Sequence, residues 1–162
     1  MVSPKLDASC RLAGAGWVLT FSEASLQLIG SHAQTHHSSK ESVGQLYCRD
    51  LTLTNIVIEH ATVLPKSRAG FTSVDFNPDV AAKERTQLFE RGLHCVGLWH
   101  SHPEPSPRPS PTDALLAADY ARAASTHLKA LLFAIVGTRP VPEGLSVWFH
   151  DGSQFLPAIW EC

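Results

Sequence analysis

A chain of 162 residues that is 44% hydrophobic and 17% charged has the size and composition of one globular domain with a substantial core. Its formal net charge of -2 and the lack of any block of five or six Lys or Arg exclude the electrostatic footprint of a nucleic-acid or anionic-membrane binder. Four scattered cysteines, Cys10, Cys48, Cys95 and Cys162, form no C-x-x-C pair, so neither a zinc ribbon nor a disulfide framework is implied. No run of 18 apolar residues and no leader-like N-terminus occur, so a soluble, cytoplasmic protein is expected.

Residues 1–16 read as an N-terminal extension ahead of a single domain over 17–162. The apolar run from Trp17 to Phe21 predicts a strand, and Ser22 is placed to cap a helix over "EASLQLIGSHAQTHH", where Leu26, Ile29 and Ala33 recur at helical spacing. The β-branched stretches Val43 to Cys48 and Leu51 to Leu64, with Arg49 and Asp50 between them, predict two antiparallel strands joined by a turn. Alternation from Phe71 to Phe76 predicts a further strand. Asn77-Pro78 then opens a helix that Gly92 closes.

"LHCVGLWH" predicts the next strand and "PTDALLAADYARAAS" the next helix. "ALLFAIVG", "LSVWFHD" and "FLPAIW" predict three terminal strands, whose Trp148, Phe149 and Trp160 read as core. The sum is an α/β domain with a mixed sheet and no internal repeat.

From the end of the strand at "LHCVGLWH" to the start of the helix after it runs "WHSHPEPSPRPSPTD", Trp99 to Asp113. On a strand, residues i and i+2 share a face with Cα atoms about 6.6 Å apart. His100 and His102 can therefore both reach one metal ion, and Ser101 between them points to the other face, where packing is its expected role. The prolines that follow stop the strand. "SPTD" then opens a helix with Ser110 as N-cap, Pro111 at N1 and Asp113 at N3, where the Asp113 carboxylate is available as a third ligand. Two imidazoles and one carboxylate leave Zn²⁺ an open fourth position, the pattern of a catalytic site. Ser-x-x-Asp is also an ordinary capping box, and His-x-His alone is weak, so the two carry weight only together.

Other metal signatures are missing. No H-E-x-x-H helix occurs, and the deaminase pattern fails because no two cysteines are close. His32, His36 and His37 cluster, with His32 and His36 at i, i+4 on the expected helix, but no acid stands at ligand spacing beside them.

In this region the sequence resembles a known family. His100, His102, Ser110 and Asp113 match the H-S-H-P-x6-S-x-x-D signature of the JAMM (MPN-plus) zinc metalloproteases. Glu41, Gly44 and Leu46 in "ESVGQLY" resemble that family's upstream E-x-x-G-x-L pattern, with Glu59 as the alternative glutamate.

The resemblance covers roughly residues 17–150. It implies a cytidine-deaminase-like α/β/α sandwich, the JAB/MPN fold, in a compact bacterial-type member. It implies one zinc ion held by His100, His102 and Asp113, Glu41 as general base and later acid, and Ser110 as donor to the carbonyl oxyanion. Substrates implied are peptide or isopeptide bonds at the C-terminal tail of a ubiquitin-like protein or its conjugates. Partners of E1/E2-like conjugation type, or an antiphage defence system, come with that reading. The tail would add to a sheet edge, with the Phe71 to Phe76 strand as candidate. Two alternatives stand beside it: a peptidase that processes sulfur-carrier proteins, and a non-catalytic scaffold, which the complete residue set disfavours.

Overall fold

The computed structural model describes residues 8–36, 38–66 and 76–161. In chain order the elements are β1 (Ala8–Arg11), β2 (Val18–Phe21), α1 (Glu23–Ser31), β3 (Val43–Cys48), β4 (Asn55–Ile58), β5 (His60–Ala61), α2 (Pro78–Phe89), β6 (His94–Ser101), α3 (Pro111–Ala123), β7 (Leu131–Val136), β8 (Leu145–His150), β9 (Phe155–Pro157) and β10 (Ile159–Trp160). Among these residues no helix is long and apolar enough to cross a membrane.

The strands form two mixed sheets. Six strands run in the order β5-β3-β6-β7-β8-β9, parallel only between β6 and β7, and four run in the order β10-β1-β2-β4, parallel only between β2 and β4. Strand β1, inside the stretch read as an extension, pairs with β2 and β10 and buries Cys10 completely.

Strand parity sets the layers. On β6, Trp99 points with Leu46, Leu132, Ala134 and Phe149 into the core shared with α1 and the smaller sheet. Leu98 points the other way with Phe133 and Ile135 and is covered by Ala117 and Ala121 of α3. The central sheet is thus covered on both faces, which is why β7 reads LLFAIV with all six residues buried.

Local sequence accounts for the helix ends. Ser22 accepts the Ser25 N–H, as expected of an N-cap, and Asn77 accepts the Asp79 N–H ahead of Pro78. Gly92 sits at φ +80°, and the N–H of Leu93 returns to the Leu88 carbonyl, the left-handed stop that glycine makes easy.

Three expectations are corrected. Helix α1 stops at Ser31 instead of running to His37, because its last turn tightens, with the N–H of His32 bonding Ile29 and that of Ala33 bonding Gly30. His32 and His36 therefore share no helix face, and His37 lies outside the described residues.

The stretch from Leu51 to Leu64 is not one strand paired with β3. Asp50 accepts bonds from the N–H and hydroxyl of Thr52 and turns the chain aside. Asn55–Ile58 then joins the other sheet in parallel with β2, and only His60–Ala61 returns to β3. Trp160 is 36% exposed at a sheet edge and is not core, whereas Phe149 is 1% exposed and is. Of the predicted strand from Phe71, only Phe76 is described, in an isolated antiparallel bridge with Lys66.

Candidate metal centre

Strand β6 ends in the Trp99–His102 segment, and its two histidines project on the α3 side, continuing the face of Leu98. Helix α3 begins directly beneath them. Ser110 is its N-cap, with its Oγ accepting the Asp113 N–H at 3.1 Å, while Asp113 Oδ2 accepts the Ser110 N–H at 2.8 Å. This reciprocal capping box does more than start a helix. It fixes the Asp113 carboxylate by Oδ2 and leaves Oδ1 to face His100.

The result is a buried cluster. His100, His102 and Asp113 are 1%, 7% and 0% exposed, and one ligand atom from each lies within 4.8 Å of the others. His100 Nε2 stands 3.2 Å from Asp113 Oδ1, and His102 Nε2 stands 3.8 Å from Asp113 Oδ2. Donor atoms around a tetrahedral zinc lie about 3.4 Å apart, given bonds of about 2.1 Å.

The hydrogen-bond accounting gives an independent test of fit. Six buried side-chain nitrogen and oxygen atoms among the described residues lack a hydrogen-bond partner, and five belong to this cluster: both ring nitrogens of His100 and of His102, and Asp113 Oδ1. Buried polar atoms are almost always satisfied, and a cation held by one nitrogen of each ring and by an Asp113 oxygen would answer part of this deficit.

Electrostatics agree. Burial pushes His102 below the ordinary histidine range and the nearby His100 adds to this, which favours the neutral imidazole that ligates. For Asp113, burial works to raise the carboxyl, but attraction to His100 and the bonds from Ser110 outweigh it and hold the group below the usual carboxylate range.

Val43 of β3 pairs with His100 and the Ser101 N–H donates to the Ser42 carbonyl, which leaves Glu41 just beyond the last paired residues, at the cluster's end of β3. Its half-buried carboxyl is pushed up by burial, against the attraction of His100 and, more weakly, of Lys66. Glu59, the alternative glutamate, instead pairs with Arg49 at 2.9 Å on the surface, away from the cluster.

Two features escaped the sequence reading. Ser101 does not merely pack: it is fully buried and its Oγ accepts the Ser42 N–H at 2.8 Å, next to Glu41. The proline loop is not free either. Thr138 N–H donates to Glu104 O, Arg139 Nε donates to Pro105 O, and Gly137 lies against Glu104 and Pro107, so the loop is a fixed wall beside the cluster. The i, i+2 parity of H-S-H pointed at the first feature, and nothing local pointed at the second.

Comparison with known proteins bears on the family and the fold. A family model described as prokaryotic homologs of the JAB domain matches residues 22–150. A CD-NTase/cGAS isopeptidase of Pseudomonas aeruginosa is 32% identical over 100 residues, 59% of this chain and 63% of the relative, so the match spans somewhat under two thirds of that protein. Among solved structures, a protein of Desulfitobacterium hafniense superposes with a TM-score of 0.57 at 19% identity, covering 87% of this chain and 88% of the other. One from Salinibacter ruber gives 0.52 at 21% identity, covering 85% and 86%. At these identities the two share the fold.

Proposed function

The chain belongs to the prokaryotic homologs of the JAB domain, and from that premise we propose that it is a zinc-dependent isopeptidase. It cleaves the amide bond between a protein's C-terminal tail and a lysine amine. The observation that carries this reading is the buried His100, His102 and Asp113 cluster, which brings one ligand atom from each residue within 4.8 Å of the others.

His100, His102 and Asp113 hold the ion. When bound, zinc supplies Lewis acidity that polarises the scissile carbonyl and lowers the pKa of water to about 7. Glu41 removes a proton from the attacking water. Its raised pKa suits a group that must take that proton and later release it. As water adds to the carbonyl carbon, the C–N bond breaks and the leaving lysine nitrogen receives the proton from Glu41, giving a carboxylic acid and an amine that settle as carboxylate and ammonium once the acid's proton passes to the amine. The Ser110 hydroxyl accepts the Asp113 N–H and still has its own proton to donate to the carbonyl oxyanion.

For the tail, the resemblance suggests a ubiquitin-like protein, while the relative of P. aeruginosa brings a CD-NTase to the front of the substrates to try. In either case the bond must first be made by a conjugating activity, so E1/E2-like proteins belong to the same system.

The test combines metal analysis with three substrates: a CD-NTase tail conjugated to lysine, a ubiquitin-like tail conjugated to lysine, and a linear fusion of each. One zinc per chain, absent in His100→Ala and Asp113→Ala, is expected. Chelator-sensitive cleavage that is lost in Glu41→Gln with its zinc retained is expected beside it. A purified protein that takes up no zinc sinks the proposal. Cleavage of linear fusions alone replaces the isopeptidase with a precursor-processing peptidase.

A further inference from the structure

Glu41 stands outside the regular ladder. Strand β3 begins at Val43, and the described residues between α1 and β3, 32–36 and 38–42, carry no regular element. A general base must hold its carboxylate to a fraction of an ångström, so something other than the sheet must fix this segment.

The bonds that do so lie on the opposite face of the sheet from the metal cluster. Ser42 is gripped twice by Ser101, donating its N–H to Ser101 Oγ at 2.8 Å and accepting the Ser101 N–H on its carbonyl at 3.0 Å. Its own hydroxyl then makes a hydrogen bond with His32 Nδ1, 3.1 Å away. His32 is the C-cap of α1, and its half-buried ring lies tilted against Trp99 at 5.7 Å between centroids. Trp99 is itself fixed by a bond from Nε1 to the Thr62 carbonyl at 2.8 Å. His32, Ser42 and Ser101 thus form a continuous chain from a helix end to the metal strand, one residue from Glu41.

We propose that His32 and Ser101 are positioning residues for Glu41, acting through Ser42. The proposal rests on the reading of Glu41 as the general base. Neither residue faces the metal cluster: on β6 Ser101 shares the face of Trp99, opposite to that of His100, and the His32 ring lies against Trp99. The arrangement also accounts for the middle residue of H-S-H, since a hydroxyl there holds the base while its neighbours hold the ion.

The experiment has a kinetic arm and an arm that needs no activity. Ser101→Ala and His32→Ala should each lower kcat by about tenfold or more, with KM and zinc content nearly unchanged. Rescue is expected with His32→Asn, whose side-chain amide presents a polar atom near the position of Nδ1. In a Glu41→Gln background, Ser101→Ala should cost nothing further, since a misplaced base no longer matters.

The second arm is amide hydrogen exchange at Ser42 in His32→Ala, where the Ser101 bond is still present. Exchange faster by about tenfold or more is expected if the His32 link helps hold the segment. Unchanged exchange at Ser42, or an equal loss from Ser101→Ala with and without Glu41, overturns the proposal. A wild-type protein that cleaves no amide overturns the isopeptidase reading instead, and the exchange result then decides the positioning role alone.

Discussion

Gly44 and Thr62 come together so closely that a Cβ on Gly44 would collide with the carbonyl oxygen of Thr62, and with Trp99 Nε1 behind it. That carbonyl is the one the Trp99 indole donates to. The glycine is therefore what lets the Thr62 carbonyl turn over β3 toward Trp99, while the chain after β5 keeps alongside β3 through bonds from the Thr62 N–H to Gln45 and from the Leu64 N–H to Val43.

Gly44→Ala should disrupt this close approach. Neither colliding group is the free end of a flexible side chain, so the backbone at Thr62 must shift and the Trp99 bond must stretch or break. A loss of about 3 kcal/mol or more is expected from such overpacking. In a domain of this size that corresponds to a melting temperature lower by about 6 °C or more. Zinc affinity should fall with it, because Gly44 pairs with Trp99 one step from the pairing of Val43 with His100. A variant that melts within a degree or so of wild type would show that the approach of Thr62 to Gly44 is not constrained.

The thiols give a pH dependence whose sign follows from burial. Burial pushes Cys10 up to about 12, aided by Glu161, and pushes Cys48 up to about 11, aided by Asp50 and Glu59. Both are free and almost fully buried. A thiol whose folded pKa lies above its unfolded value favours the fold while it is protonated. Its contribution is fully present below the unfolded value near 9 and is lost as pH rises toward 11 and 12. The denaturant midpoint should therefore hold through pH 8 and fall across the alkaline range, and Cys10→Ala should flatten that fall. Alkylation at pH 8 should leave both thiols unmodified until the protein is unfolded. Rapid labelling of Cys10 in the native protein would contradict this.

The metal cluster was legible in the sequence because each of its parts is local. His100 and His102 converge through strand parity, and Asp113 is oriented by a cap three residues upstream. Glu41 was legible only through the family pattern, since its place depends on β3 pairing with a strand more than fifty residues away. The crossing of Asn55–Ile58 to the second sheet escaped for a related reason. A short β-branched strand fits either neighbour equally well, and the Asp50 turn that diverts it is decided by two side-chain bonds. The His32 to Ser42 to Ser101 chain was hidden because hydroxyls and imidazoles carry no periodic signal. Which partner they find is settled only when α1, β3 and β6 meet.

Ser110 has two roles that one pair of substitutions separates. As N-cap it accepts the Asp113 N–H, and in the proposed reaction its hydroxyl proton is the oxyanion donor. Ser110→Ala removes both. It should cost about 1 kcal/mol of stability for the lost cap and about 10²-fold to 10³-fold in kcat for the lost donor. Asn caps a helix as well as Ser does, because its carbonyl oxygen accepts the same N–H. Ser110→Asn should therefore melt close to wild type and retain zinc, yet lose most of the same activity. Its side-chain amide is committed by the cap to pointing its oxygen inward, so the NH₂ group is not delivered to the position of the hydroxyl proton. Thermal melts, zinc content and kcat measured on the three proteins together check the division. If Ser110→Asn keeps wild-type kcat, the hydroxyl is only a cap, and the oxyanion donor must be sought elsewhere.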